Sequence, residues 1–312
     1  MAEPVALAAL MIDAAIGWPD ALYRRIGHPV GALARIIGWG ERRGNDPTAS
    51  FVRRRLLGVA TLLFVTGFAF GVAWIAVALV RHWLGDFAWL GLALLAFPGL
   101  AQRSLHDHVL PVARALAMRD LPGARTAVSM IVGRDVETLD AAGIARAAIE
   151  SLAESFCDGI AAPLFWLLLL GVPGLWAYKA INTADSLIGH KEERWRAFGW
   201  AAARTDDVVN LIPARIAGLV ICLAGPGGFR TMLRDAGKHA SPNAGWPEAA
   251  MAGALGVRLA GPVAYDGVVV DKDWLGTGRS DASAADLQNA LAIYRRACLL
   301  LWLIAGGVAW VP

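Results

Sequence analysis

From Leu56 to Val80 the chain runs for 25 residues without a charged side chain, fenced by Arg53, Arg54 and Arg55 before it and Arg81 after it. A bilayer's hydrocarbon core takes about 20 apolar residues as helix. Within that core every backbone polar group must be satisfied internally, so this run commits the chain to a helical membrane fold. Composition agrees: 57% of residues are hydrophobic, 18% are charged and the mean hydropathy is +0.50, more oil and less charge than a water-soluble domain carries. Phe87–Leu100, Ile216–Phe229 and Ala297–Pro312 are shorter apolar runs, each marginal for a crossing and open to a tilted, re-entrant or buried-core reading. Met1–Gly17 holds Glu3 and Asp13 and no basic n-region, so it reads as a membrane-associated first helix rather than a cleaved signal.

Eight Arg and no Lys lie between residues 24 and 55, which places the first loop on the cytoplasmic side. The 20-residue run Gly159–Tyr178 contains Pro163 and Pro173. If it crossed fully, one of the two basic stretches 101–158 and 179–210 would face outward. The "GVPG" break offers another course, a segment that dips in and returns with its backbone sheltered by protein. "GPGG" at 225–228 marks a turn, and "YDGVVV" at 265–270 a small hairpin. Cys157, Cys222 and Cys298 are scattered among apolar segments and read as small buried hydrophobes. A net charge of +3 with no basic–aromatic stripe argues against nucleic acid. The expected fold is all-α: one membrane-embedded domain over residues 1–312, a polytopic bundle with polar, motif-bearing loops at one membrane face.

Chemistry first shows in "AAIESLAESFCDGIAAPLFW", residues 147–166. Asp140 is a good N-cap for the helix that leads into it, with Leu139 and Ile144 at the staple positions. Ile144, Ala148, Leu152, Phe156 and Ile160 make one apolar stripe; Arg146, Glu150, Glu154 and Asp158 make a polar one on the other side. A solvated face with an Arg146–Glu150 pair is the plain alternative. Asp158, however, abuts the oil, where an ionisable group is costly enough to suggest function. Stacked carboxylates repel, and hard oxygen ligands suit Mg²⁺.

Three more polar clusters border apolar sequence. "YKAINTADSLIGH" carries Asn182, Thr183, Asp185 and Ser186. "WAAARTDDVVNLIPARIAG" carries Arg204, Asp206, Asp207, Asn210 and Arg215 on what reads as one helix, with Pro213 expected to kink it and free a carbonyl. "GKHASPNAGWPEAAMAGALGVRLAGPVAY" carries Lys238, His239, Ser241, Asn243 and Arg258, able to meet phosphate or carboxylate oxygens. Each has a bland reading as a cap or a structural pair. No Walker A pattern occurs, since position 232 is Met.

These motifs together with "DAAIGWPD…GHPVGALARIIG" and "GRDVETLD" resemble, in order from about Asp13 to Gly278, the adenosylcobinamide-phosphate synthases of cobalamin biosynthesis, the CobD/CbiB family. Family members often have Asn, Leu and Met where this chain has Phe156, Ala184 and Leu187; no charged motif residue is lost. The resemblance implies a multi-pass inner-membrane ligase whose active site faces the cytoplasm. It would join a carboxylate of adenosylcobyric acid to (R)-1-aminopropan-2-ol or its O-phosphate, with ATP and Mg²⁺. It also implies the lipid bilayer and other membrane enzymes of the pathway as partners. On that reading Glu150, Glu154, Asp158 and Asp207 are catalytic, and Asp158, Asp185, Asp206 and Asp207 hold metal. Asn182, Asp185, Ser186, Asn210, Ser241 and Asn243 orient substrate, while Arg204, Arg215, Lys238 and Arg258 hold phosphate or the corrin carboxylate. Trp166, Trp176, Trp195 and Trp200 would line the corrin. The competing readings are a non-catalytic signalling relative of the β-lactamase-induction type and a transporter of corrinoids or other small molecules; the full set of polar motifs weighs against the first, and the lack of an inverted repeat against the second.

Overall fold

The computed structural model describes residues 4–265 and 268–310, without the side chains of 263–270. In chain order the helices are α1 (Val5–Ile16), α2 (Asp20–Ile26), α3 (Pro29–Gly44), α4 (Phe51–Leu84), α5 (Ala88–Ala96), α6 (Gln102–Ala117), α7 (Leu121–Ser129), α8 (Ala141–Phe156), α9 (Ala162–Ile188), α10 (Glu193–Arg196), α11 (Trp200–Val209), α12 (Leu211–Ala224), α13 (Phe229–Asp235), α14 (Gly245–Leu255) and α15 (Ala284–Trp310). Four short strands, β1 (Leu259–Ala260), β2 (Val263–Tyr265), β3 (Val268–Val270) and β4 (Trp274–Leu275), sit between α14 and α15. The architecture is all-α as expected. The hairpin also forms: β2 pairs antiparallel with β3, although its turn residues Asp266 and Gly267 lie outside the described residues.

Three helical stretches, Phe51–Ala117, Ala141–Ile188 and Ala284–Trp310, are long and apolar enough to cross a membrane, and the number reaches five if each of two bent helix pairs counts as one span. The chain gathers into two compact units: unit 1 comprises residues 1–101, 162–210 and 305–312, and unit 2 comprises 102–161 and 211–304.

Unit 1 is built on α4. Ser50 caps it through the Arg53 N–H, and the charge-free run then continues as one 34-residue helix. Gly58, Leu62, Val65, Ala69 and Ala73, spaced three and four apart, are buried, while Leu63, Phe64, Phe68, Trp74 and Ile75 are exposed. A helix that shows large apolar side chains on its outer face suits lipid rather than water. Its buried face meets Leu33 and Ile37 of α3, Ala180, Ile181 and Ala184 of α9, and Ala201 and Ala202 of α11. At Gly58 the α4 backbone comes close to its neighbour: a Cβ there would lie 1.9 Å from the Phe198 carbonyl oxygen. The Phe87–Leu100 run yields only the nine-residue α5 between two 3₁₀ turns. At 1.5 Å per residue that is roughly 14 Å, too short to cross alone, and Leu92, Ala93 and Ala96 are buried. The "GVPG" break is real: Gly171 leaves helical geometry (φ 68°, ψ −164°) within α9.

Unit 2 is built on α8. Asp140 caps it, accepting the Gly143 N–H at 2.7 Å. Ile144, Ala148, Leu152, Phe156 and Ile160 are all buried, so the apolar stripe falls where its period places it. The last of these sits in a π turn, Cys157–Ala161, a feature often found at functional positions. The "GPGG" turn also forms, with Gly227 (φ 128°) and Gly228 (φ 116°) in backbone that other residues adopt only under strain. Cys157, Cys222 and Cys298 are buried, and no disulfide joins them. The segment Trp200–Gly218, read from sequence as one helix, is two. Pro213 has no N–H to offer the Val209 carbonyl, and that oxygen accepts the Trp166 indole N–H instead, at 3.2 Å. The helix ends at Val209 and α12 starts at Leu211, so Arg215 does not share a helix with Arg204, Asp206 and Asp207.

Candidate active site

The residues expected to carry chemistry fall into two groups, one in each unit. In unit 1, α9 and α11 bring Asp206 between two amides. Asn210 Nδ2 donates to its Oδ2 at 3.0 Å and Asn182 Nδ2 lies 3.4 Å from its Oδ1. Asn210 Oδ1 in turn accepts the Tyr178 hydroxyl at 3.1 Å. All four side chains are buried. The spacing of Asp206 and Asn210 does bring them together, though directly bonded. Asp207, half-buried, accepts from Arg204 at 2.9 Å. Asp185 is half-buried and Ser186 exposed near the end of α9, the serine hydroxyl donating to the Asn182 carbonyl. Of the expected corrin-lining tryptophans, Trp166 and Trp176 give their N–H groups to the Val209 and Leu95 carbonyls. Arg194 lies over Trp195 and Arg55 over Trp200.

In unit 2 the first part of the polar stripe of α8 is met by backbone at Ala260 and Ser280. Glu150, 5% exposed, accepts Arg134 at 2.5 Å on one oxygen and the Ala260 N–H at 2.8 Å on the other. Arg146, one turn earlier, donates to the Ser280 carbonyl. Glu154 is exposed and Asp158 half-buried. A carboxylate that the sequence reading did not single out completes this cluster. Glu248 on α14 is 4% exposed, and its Oε1 lies 3.7 Å from His239 Nε2. Burial first, then the charges of Glu154 and Glu150, hold its carboxyl well above the usual glutamate range, with Arg134 and Lys272 pulling the other way. Its signal was present: it is a lone acid in the apolar run "PEAAMAGAL", where an unshared charge is expensive.

Other expected binding residues have well-defined neighbours. Ser241 Oγ accepts the Asn243 and Ala244 N–H groups ahead of α14, and its own N–H donates to His239 Nδ1. Arg215 reaches Asn243 Oδ1 at 3.3 Å and lies 4.5 Å from the Trp246 ring centre. Lys238 pairs at 2.8 Å with Asp235, a second residue missed from sequence. Asp235 is wholly buried and also binds Arg234 in bidentate fashion and the Gly276 N–H at 2.8 Å. The Arg234 bonds first, and then Lys238 and the Gly276 N–H, hold its carboxyl far below the usual aspartate range. A depressed pKa stabilises the fold above the ordinary aspartate value of about 3.9 and is lost as pH falls below it. Asp235→Asn is therefore expected to lower the melting temperature in detergent at pH 7, with the gap to wild type closing as pH falls below about 4. An equal gap at both pH values would refute the ionic role.

Among the described residues no three His, Cys, Asp or Glu side chains come together as a metal-ion group. Mg²⁺ commonly takes one or two protein carboxylates and completes its shell with water and substrate phosphates. The exposed Glu154 and half-buried Asp158 carry hard oxygen donors of the kind that partial role needs.

Comparison with known proteins covers nearly the whole chain. The family model described as CobD/Cbib protein matches residues 6–294. The cobalamin biosynthesis protein CobD of Rhodobacter capsulatus is 53% identical over 307 residues, covering 96% of this chain and 95% of that protein. Proteins of the same name from a Sinorhizobium species and from Brucella suis are 45% and 46% identical, covering 94% and 92% of this chain and 94% and 90% of their own lengths. No solved structure matches.

Proposed function

The chain belongs to the CobD/CbiB family of cobalamin biosynthesis proteins, and from that premise we propose that it joins a side-chain carboxylate of adenosylcobyric acid to the amine of (R)-1-aminopropan-2-ol or of its O-phosphate. One observation carries the reading: the family match, residues 6–294, spans the polar motifs as well as the apolar helices. A carboxylate is a poor electrophile, and phosphorylation would give it a leaving group. ATP with Mg²⁺ would supply that phosphoryl group and neutralise its charge, the metal held by Glu154 and Asp158.

The remaining work falls to unit 2's own side chains. The incoming amine arrives as an ammonium and must lose a proton before its nitrogen can attack. Glu248 suits that task because its elevated pKa makes it a stronger base than an ordinary carboxylate. Glu150, held by Arg134 and the Ala260 N–H, is a second acid near it. The arginine-rich first loop supports an inner-membrane protein with that loop in the cytoplasm.

The deciding experiment incubates purified protein with adenosylcobyric acid, aminopropanol or its phosphate, ATP and Mg²⁺, and reads products by mass spectrometry. Adenosylcobinamide or its phosphate, formed only with ATP present, is expected. Unchanged corrin under all these conditions would discard the ligase assignment.

A further inference from the structure

Four cations were expected from the sequence to hold anions, and the structure sorts them. Arg204 and Lys238 are paired with Asp207 and Asp235, and Arg215 reaches an amide and a carbonyl. Arg258 differs. Among the described residues no carboxylate pairs with it, and its Nε is buried without a hydrogen-bond partner. Its guanidinium lies 5.3 Å from the centre of the Trp274 ring, and a second guanidinium, Arg146, lies 5.6 Å from the same ring. Arg146 also pairs with no carboxylate among the described residues; its one hydrogen bond is to the Ser280 carbonyl. Both arginines are half-buried.

Two like charges on one indole repel unless an anion joins them, and an arginine fork with open N–H groups matches a phosphate or carboxylate edge. The arrangement is built rather than incidental. Arg258 adjoins β1, whose Ala260 is bonded to Glu150, one turn along α8 from Arg146. Ala260 is also the register partner of Trp274 across β1 and β4. Ala260 (φ 58°) and Gly261 (φ 80°) both hold left-handed backbone, and a Cβ on Gly261 would meet the Trp274 ring at 2.6 Å. Strained, closely packed backbone of this kind persists where the surroundings over-determine it, often at ligand sites.

We propose that Arg146 and Arg258, seated on Trp274, form a two-guanidinium clamp for a phosphate monoester beside the Glu150–Glu248 carboxylates. This deepens the ligase reading and rests on it for the identity of the ester. Two sources fit the shared chemistry, the phosphate of the aminoalkyl donor and a phosphate of the nucleotide. A clamp for one charge next to acids for the other suits a short zwitterion, which favours the donor.

The test measures binding to full-length protein in nanodiscs, without turnover, for aminopropanol phosphate, aminopropanol and ATP. Arg258→Gln is expected to weaken aminopropanol phosphate at least tenfold and leave aminopropanol unchanged; Arg258→Lys should fall between, because an ammonium lacks the fork. A tenfold loss for ATP alone would keep the clamp and assign it to the nucleotide. Should Arg258→Gln fail to fold, Arg258→Lys and competition by inorganic phosphate in the wild type give the same reading. Unaltered affinity for both phosphate ligands in folded Arg258→Gln and Arg146→Gln overturns the clamp. Phosphate binding that depends on Arg258 in a protein that makes no amide would sink the ligase reading alone.

Discussion

Glu248→Gln is expected to cut amide formation by about 10²–10⁴-fold, the usual worth of a positioned general base, while the protein keeps its fold and melts at a higher temperature than wild type. The two effects have one cause. Glu248 is buried against Glu150 and Glu154, so its charged form costs stability, and that same cost makes it basic. Glutamine keeps the shape and removes the charge. For an acid whose pKa is raised by folding, the folded state binds the extra proton. Its stabilising contribution is complete below the ordinary glutamate value of about 4.3 and is lost as pH climbs to the folded value. The melting advantage of Glu248→Gln should therefore be small near pH 4 and grow with rising pH. Turnover should show the complementary limb: wild-type kcat/KM rising with pH as Glu248 loses its proton, and a residual rate in the variant without that limb. A glutamine variant with wild-type turnover would remove Glu248 from the chemistry, whatever its effect on melting.

The parts of this protein that were legible in its sequence are those fixed by short-range rules. The Asp140 cap, the α8 apolar stripe, the breaks at Gly171 and Gly227–Gly228 and the carbonyl freed by Pro213 each follow from a few adjacent residues. What stayed hidden depends on distant chain. Glu150 and Glu154 look alike on α8, yet one is buried and the other exposed because the segment around Ala260, 110 residues on, docks over the first. Asp235 lies in "FRTMLRDAGK", which reads as a charged surface turn; its burial is made by Gly276, 41 residues on. The four-residue spacing of the polar stripe also stops at the π turn, where Asp158 sits. Glu248 gave a signal, an acid among alanines, but its neighbours come from α8, and only their proximity turns an oddity of composition into a candidate base.

The second large effect concerns the pair beneath that base. Glu150→Met should destabilise unit 2 by about 3–5 kcal/mol, the range for removing one partner of a buried ion pair. Two groups lose their acceptor at once, Arg134 and the Ala260 N–H, and a buried N–H left unsatisfied adds about 1–3 kcal/mol in its own right. Arg134→Met alone strands the carboxylate and should cost a similar amount. The double variant Arg134→Met, Glu150→Met has no stranded charge, so its loss should be well below the sum of the two single losses, leaving chiefly the Ala260 term. Chemical denaturation in a fixed detergent, followed by helical circular dichroism across the four proteins, measures the coupling. The same cycle separates structure from catalysis. If Glu150 acts only as the anchor of β1, the double variant should recover folding and, once folded, bind aminopropanol as wild type does. If its charge also draws the ammonium in, the folded double variant should bind the amine at least tenfold more weakly, while Glu248→Gln, which keeps the Glu150 charge, does not.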